Sequence, residues 1–167
     1  MVRGLVDSVS AAGTVLSVLG VNVTASVSTE VADKSSQHMK GFRLSDLHVG
    51  DYLEIHGTPE SSGGLRASTV VREKPEARSY LEGPALIASS LASSFVRVPS
   101  LDILGLNVNV PGLTVLGVNL TTNARTRFEG PVKGAVALLQ EAPNHTVKVS
   151  GSYAGGVLTA DRVQVER

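Results

Sequence analysis

The chain has 167 residues, with 15 basic and 15 acidic side chains, no cysteine, no tryptophan and only six aromatic residues, three Phe and three Tyr. Without cysteine it can form no disulfide, thiolate zinc site, iron–sulfur cluster or thiol nucleophile. A formal net charge of zero argues against a protein held to nucleic acid or anionic lipid by bulk electrostatics, and 42% apolar residues predict a folded core.

The first residues of the chain run directly into a strand-like pattern. Met1–Leu5 contains no apolar signal-peptide region and no small-residue cleavage site, so we expect any export signal to lie outside this chain. No window approaches the roughly 20 apolar residues of a membrane-spanning helix. We therefore predict a protein that does not span the membrane.

A turn and a strand with period-two alternation follow in the first half. One helical turn is predicted over residues 44–47, and Gly50-Asp51 marks the turn into the strand. Asp46 and Asp51 are expected to cap backbone amides there. The alternation predicts that Leu53 and Ile55 point inward and that Tyr52, Glu54 and His56 point outward.

The second half contains a long apolar segment. Ile103–Val108 is repeated as Val115–Leu120, and Pro111-Gly112 between them is a turn signature. We therefore predict an apolar hairpin at about 101–122, inserted in the fold, which packs in the core or forms an interaction surface. The candidate surface residues on it are Leu104, Leu106, Val108 and Leu113.

Short helical and strand signals surround this segment. Residues 86–95 are serine-rich and ambiguous, and 132–142 predicts two helical turns that end before Pro143. Alternating strands are predicted near 147–151 and 162–166. Glycine turns and strand ends recur throughout, and the residues assigned to structural turns are Gly50, Asp51, Gly57, Gly63, Gly64, Gly151, Gly155 and Gly156.

An internal repeat organises the whole chain. Residues 18–24 recur as 115–121 with one conservative change, and the strand ending at Gly57 recurs as the strand ending at Gly151. Both matches occur in the same order. This predicts a first unit at 1–74, a linker at 75–79 and a second unit at 80–167.

Part of each unit resembles a known family. The segment 45–57, followed by Gly63-Gly64 and the strand 65–70, resembles the bacterial domain-of-unknown-function family 5666. The second unit keeps the closing hairpin over 153–163 and a threonine-x-phenylalanine step, although Asn144-His145 replaces the Gly50-Asp51 turn. The resemblance implies an all-β protein of two tandem small OB-like β-barrels, commonly exported, so we expect a periplasmic or secreted location.

The sequence carries no recognised catalytic signature. Phosphate-binding, dinucleotide-binding, zinc-protease and nucleophile-elbow patterns are all missing from it. Glu54 and His56 share one strand face and could take part in a weak metal site, although solvent-facing strand residues are the better interpretation. We therefore expect no cofactor, no metal and no enzymatic activity.

Binding is the remaining class of function. We predict a non-catalytic binding or structural module of the bacterial cell envelope, whose partner is a protein, a glycan or a small ligand, with possible self-association through strand edges. The alternative is an OB-type binder of oligonucleotides or oligosaccharides. Its candidate residues are the cations Arg125 and Arg127, two apart on one strand face, and the aromatics Tyr52, Tyr80, Phe128 and Tyr153. With six aromatics and zero net charge, nucleic acid is an unlikely partner.

Overall fold

Strands make up most of the structure. The computed structural model describes residues 1–61, 63–87, 108–143 and 145–166. A 3-10 turn at Leu44–Asp46 and a short helix α1 at Ala135–Glu141 are the helical elements of these residues. The strands, in chain order, are β1 (Val2–Val9), β2 (Val15–Val18), β3 (Val21–Thr24), β4 (Glu30–Asp33), β5 (Tyr52–Pro59), β6 (Leu65–Glu73), β7 (Ser79–Ile87), β8 (Val108–Val115), β9 (Val118–Thr122), β10 (Arg127–Glu129), β11 (Thr146–Ala154) and β12 (Val157–Glu166).

The first six strands form a closed five-stranded barrel with one extra strand. β1 pairs antiparallel with β2, and β2 with β3. β3 runs parallel to β6, which pairs antiparallel with β5, and β5 returns to β1 to close the barrel. β4 lies outside the ring, parallel to β6. Alternate residues of these strands fill the core, which leaves the others on the outer surface.

The last six strands repeat this arrangement. β7, β8, β9, β12 and β11 close a second ring with the same sequence of antiparallel and parallel pairings, and β10 lies outside it along β12. Helix α1 stands where the first barrel has its 3-10 turn, and its Leu138 is fully buried. The prediction of an all-β protein built from barrels is therefore confirmed.

A buried threonine supports the duplication at the level of single hydrogen bonds. In the first barrel the hydroxyl of Thr29 donates to the carbonyl of Ala67 at 3.0 Å and accepts from the amide of Ser26 at 2.9 Å. In the second barrel the hydroxyl of Thr126 donates to the carbonyl of Ala160 at 2.7 Å and accepts from the amide of Asn123 at 2.9 Å. Thr29 and Thr126 are thus equivalent positions.

The two barrels are joined by their first strands. β1 and β7 pair antiparallel, with Val2 opposite Leu81 and Arg3 opposite Tyr80. We call this pairing the seam. On the first-barrel side of the seam β1 also pairs with β5, and on the second-barrel side β7 pairs with β11. A continuous antiparallel sheet therefore crosses from one barrel to the other.

A leucine in an unusual backbone conformation caps each barrel beside the seam. Leu19 and Leu116 have φ values of 54° and 50°. The side chain of Leu19 packs so closely on Gly4 that an added Cβ there would lie 2.4 Å from it, and Leu116 packs on Gly83 with a corresponding distance of 2.7 Å. These contacts explain why the Leu-Gly dipeptide occurs in both copies.

The hairpin predicted over 101–122 turns at a different place. β8 runs through Pro111-Gly112 with an irregular register between Asn109 and Thr114, and the turn into β9 falls at Leu116-Gly117. The prediction of a turn at Pro111-Gly112 is therefore wrong. Strands β8 and β9 take the barrel positions that β2 and β3 take in the first barrel, while 101–107 and most of 86–95 lie outside the described residues.

The predicted local turn devices agree with the structure. Asp46 accepts a hydrogen bond from the amide of Arg43, and Asp51 from the amide of His48, each at 2.8 Å. Gly57 and Gly151 sit at β-bulges, where an added Cβ would lie 2.0 Å from a carbonyl oxygen of the neighbouring strand. Positive φ values are found at Gly50, Gly63, Gly155 and Gly156, whereas Gly64 lies directly against Asn22.

The first barrel contains a buried ion pair. Arg72 donates to Asp33 through Nε at 3.1 Å and Nη2 at 2.6 Å, and the two side chains are 6% and 0% exposed. Asp33 also accepts from the amides of Ser35 and Met39, which anchors the loop that follows β4. The hydrogen bonds from Arg72 hold the pKa of Asp33 well below its usual range.

At the equivalent positions of the second barrel, which the structure describes, this ion pair is not found. Glu129 lies opposite Gln164 in the β10–β12 register, as Ala32 lies opposite Val71 in the first barrel, so the next positions are Gly130 and Val165. Val165 is 4% exposed. The buried apolar side chain of Val165 therefore stands in the second barrel where the first barrel has the buried cation Arg72.

Candidate functional site

The outer surface of the seam carries two rows of polar side chains. Residues that face each other in adjacent antiparallel or parallel strands point to the same side of a sheet. The first row crosses six strands and consists of Arg127, Arg162, Ser150, Tyr80, Arg3 and Glu54. The second row crosses four strands and consists of Glu129, Gln164, Lys148 and Glu82.

A groove of about 180 Å³ lies between these rows on the second-barrel side of the seam. We call it the seam groove. Leu81 and Val149 line it between the two rows, although their side chains point into the core. Met1 lies beside it and donates from its amino group to the carbonyl of Glu82 at 2.7 Å. The polar side chains of the groove are Tyr80, Glu82, Lys148, Ser150, Arg162 and Gln164. These residues come from β7, β11 and β12, so only the closed second barrel brings them together.

The charged groups of the groove are paired with one another. Lys148 Nζ lies 2.7 Å from Glu166 and 3.8 Å from Glu82. The hydrogen bond to Glu166 raises the pKa of Lys148, which keeps the amine protonated. Arg162 forms an ion pair with Glu129 at 2.5 Å. Positive and negative groups thus alternate around the groove and largely cancel.

Two neutral polar groups in the groove retain their hydrogen-bonding capacity. Within the part of the chain that the structure describes, neither the hydroxyl of Ser150 nor the amide of Gln164 makes a side-chain hydrogen bond. Both residues are half-buried. The hydroxyl and the amide can each donate and accept, so they can bind a ligand group that does the same.

The first-barrel side of the same surface is covered by the linker. The hydroxyl of Tyr52 donates to the carbonyl of Arg78 at 2.5 Å, and Glu76 forms an ion pair with Arg3. Tyr52 is consequently 2% exposed, so the prediction that it faces solvent is wrong. Its side chain does leave the barrel, but the linker folds back over it, and burial raises the pKa of Tyr52 to about 12.

Arg3 links the covered side to the open side. Its guanidinium lies 5.8 Å from the ring centroid of Tyr52 and 5.5 Å from that of Tyr80. Glu54 lies 3.5 Å from Arg3 Nε and 2.9 Å from His56 Nε2. Arg3 therefore holds the Tyr80 ring in place at the edge of the groove.

Glu54 and His56 contact each other directly on the outer face of β5, as their shared strand face predicted. Within the described ranges, no group of three or more His, Asp or Glu side chains comes close enough together to hold a metal ion. Glu54 is half-buried and His56 is exposed. Because Glu54 also contacts Arg3, the pair is part of the ion-pair pattern of the seam surface.

The structure separates the residues predicted for the hairpin surface. Leu113 is fully buried in the core of the second barrel, so it cannot contribute to an interaction surface of the folded protein. Leu113 is buried because β8 is one of the five strands of the second ring and the Leu113 side chain points to its interior. Val108 begins β8, and Leu104 and Leu106 lie outside the described residues.

The predicted nucleic-acid residues are also dispersed. Arg125 is not on a strand face: it lies in the turn before β10, and its amide donates to Asn123. Arg127 is exposed at the start of β10, opposite Arg162 at the end of the first row. The rings of Phe128 and Tyr153 are half-buried against the core, which leaves Tyr80 as the predicted aromatic that lines the groove.

Sequence reasoning missed Glu82, Lys148, Arg162 and Gln164 as site residues. Period-two alternation predicts that each of their side chains lies on the outer face of its own strand. Nothing in that pattern shows that β7 lies beside β11 and β12, because the pairing of β7 with β11 joins residues far apart in the chain, such as Tyr80 and Ser150.

Comparison with known proteins identifies a family but no activity. The family model for a domain of unknown function (DUF5666) matches residues 3–71 and 102–164. No match was found among curated proteins or among solved structures. Helices in the described ranges are all too short or too polar to cross a membrane.

Proposed function

The chain belongs to the DUF5666 family, and from this premise we propose that it is a non-catalytic binding or structural module of the bacterial cell envelope. The observation that carries the proposal is the seam groove, around which three strands place six polar side chains. A concave site with a few convergent polar groups is the usual form of a binding site. The envelope location, periplasmic or secreted, rests on the family resemblance.

The electrostatics of the groove favour binding over catalysis. A general acid or base works best with a pKa near the working pH. Lys148 departs in the opposite direction, because Glu166 raises its pKa further above neutrality. Glu82 and Glu129 each face a cation at ion-pair distance. Groups fixed in this way can orient a ligand but are poorly suited to moving a proton.

Photo-crosslinking tests whether the groove is a contact site. A benzophenone amino acid replaces Ser150 in the groove or, as a control, Ser8, which is exposed on β1 away from the groove. The full chain is exported to the periplasm of a bacterial host and irradiated. We expect adducts from position 150 that position 8 does not give. Identical adducts from both positions, or none from position 150, would contradict the proposal.

An OB-type binder of oligonucleotides or oligosaccharides is the second candidate. It is favoured by the parallel strand pair that each barrel contains. This pair is β3 with β6 in the first barrel and β9 with β12 in the second. The exposed cations Arg125 and Arg127 would serve the oligonucleotide version. Binding of a labelled oligothymidylate that weakens steeply with salt and on replacing both arginines by Ala would support it.

A further inference from the structure

We propose that the seam groove binds a neutral sugar ring of a glycan. The inference rests on the proposed function and names the ligand class of that same site. It starts from the pairing of the polar groups in the groove. The charged side chains form ion pairs with each other, and the amino group of Met1 donates to the carbonyl of Glu82. The groups left to a ligand are the neutral hydroxyl of Ser150 and the neutral amide of Gln164.

Charge balance argues against an ionic ligand. An anion placed between Lys148 and Arg162 would also meet the carboxylates of Glu82, Glu166 and Glu129. A cation would meet the same two basic side chains and the amino group of Met1. Breaking either ion pair to admit such a ligand leaves a carboxylate or a cation without its partner. A neutral molecule avoids both costs.

A polyhydroxylated ring matches the hydrogen-bonding groups that remain. Sugar hydroxyls both donate and accept, so they can form hydrogen bonds with the hydroxyl of Ser150 and with either end of the Gln164 amide. The Tyr80 ring provides apolar contact for the C–H groups of the sugar ring. A volume of about 180 Å³ is small, which suits one ring of a longer chain lying across the sheet.

The test is a titration of the isotope-labelled full chain, followed by amide chemical shifts. The neutral probes are cellotetraose, maltotetraose and chitotetraose, and the charged probes are tetragalacturonate and an oligothymidylate. Each is added to ~10 mM, where a site with a Kd of about 1 mM is mostly occupied. We expect at least one neutral probe to shift amides of Tyr80, Lys148, Ser150 and Gln164, with little dependence on salt.

Variants separate the ring contact from the polar contacts. Tyr80→Ala should weaken binding about tenfold, whereas Tyr80→Phe, which keeps the ring, should bind nearly as well. Gln164→Ala should weaken binding about tenfold as well, because sugar hydroxyls lose a partner in the groove. Gln140→Ala, at an exposed position on α1, is the matched control and should bind like the parent protein. The dispersion of the amide spectrum shows whether each variant is folded.

Three results would overturn the inference: no shift with any neutral probe, shifts confined to residues outside the groove, or shifts with the charged probes only. Each of these can occur together with specific crosslinking from position 150, in which case the module binds a ligand of another class and the proposed function survives. Loss of specific crosslinking as well would remove both.

Discussion

Removing Asp33 should destabilise the first barrel strongly, because its partner is buried. In Asp33→Ala the guanidinium of Arg72, 6% exposed, loses both of its hydrogen bonds to the carboxylate. It keeps the side-chain oxygen of Gln37 at 3.1 Å, the Phe42 ring at 4.4 Å from its centroid and a more distant Asp51 at 3.8 Å. Breaking a buried ion pair from one side costs about 3–5 kcal/mol. The loop after β4 also loses the acceptor for the amides of Ser35 and Met39.

The second barrel indicates how the loss can be offset. Arg72→Val introduces the residue that the second barrel has at the equivalent position, Val165. Alone it leaves Asp33 buried without its cation, so it should also cost several kcal/mol, on the order of 3 kcal/mol. In the double variant neither charge remains, and we expect a total loss smaller than the sum of the single losses by about 2 kcal/mol.

Urea denaturation followed by circular dichroism measures these differences in the free energy of unfolding. The control is Lys34→Ala, which removes an exposed cation 3.6 Å from Glu73 and should change stability by less than about 0.5 kcal/mol. Because the folded-state pKa of Asp33 is depressed, its stabilising contribution is present above the unfolded pKa of about 3.9 and is lost as the pH falls below it. The parent should therefore lose stability on acidification more steeply than Asp33→Ala. Additive single effects, or a loss below about 1 kcal/mol for Asp33→Ala, would refute the reasoning.

Two further predictions concern the bulge and the linker. Gly57→Ala places a Cβ 2.0 Å from the carbonyl oxygen of Arg66 and should cost about 2–3 kcal/mol in urea denaturation, whereas Gly134→Ser, with no atom within 4 Å of the added Cβ, should be neutral; equal effects would contradict the steric argument. Folding raises the pKa of Tyr52 from about 10 to about 12. The neutral phenol therefore makes its full contribution to the free energy of unfolding below pH ~10, and this contribution should be lost as the pH rises to about 12. Tyr52→Phe should remove this alkaline step from a stability profile and the last tyrosinate step from an absorbance titration; an unchanged profile would show that Tyr52 is not the group responsible.

Local patterns predicted the strands and their glycines well. The alternation over 52–56 correctly buries Leu53 and Ile55, and the short helix before Pro143 appears as α1. The repeat of residues 18–24 as 115–121 correctly indicated a duplication, because equivalent backbone turns need equivalent residues. These features depend on a few neighbouring residues, which is why the sequence is sufficient to find them.

The turn of the second hairpin shows where such reasoning ends. Pro111-Gly112 is a strong turn signature, whereas Leu116 has a φ of 50°, which a leucine rarely adopts. The strain at Leu116 is offset by its packing on Gly83, a residue 33 positions earlier. A contact across the barrel therefore decides the position of the turn, and no local rule contains it.

Among the described residues the first barrel has no groove at the position equivalent to the seam groove, and the linker explains the difference. The pair Arg3–Glu54 on the first barrel and the pair Glu82–Lys148 on the second occupy equivalent positions in the sheet, with the charges reversed. On the first barrel the linker crosses this surface and contributes Glu76 and the carbonyl of Arg78, so the space beside Arg3 is filled.

On the second barrel no described segment crosses the corresponding surface, and the space beside Lys148 stays open as the groove. Duplication thus supplied two copies of one outer surface, and the connection between the copies covered one of them. Arg3 of the first barrel also holds the Tyr80 ring at the edge of the seam groove, so the first barrel helps to shape the groove on the second. The seam groove is therefore a property of the joined pair of barrels, and the proposed binding predicts one ligand per chain rather than two.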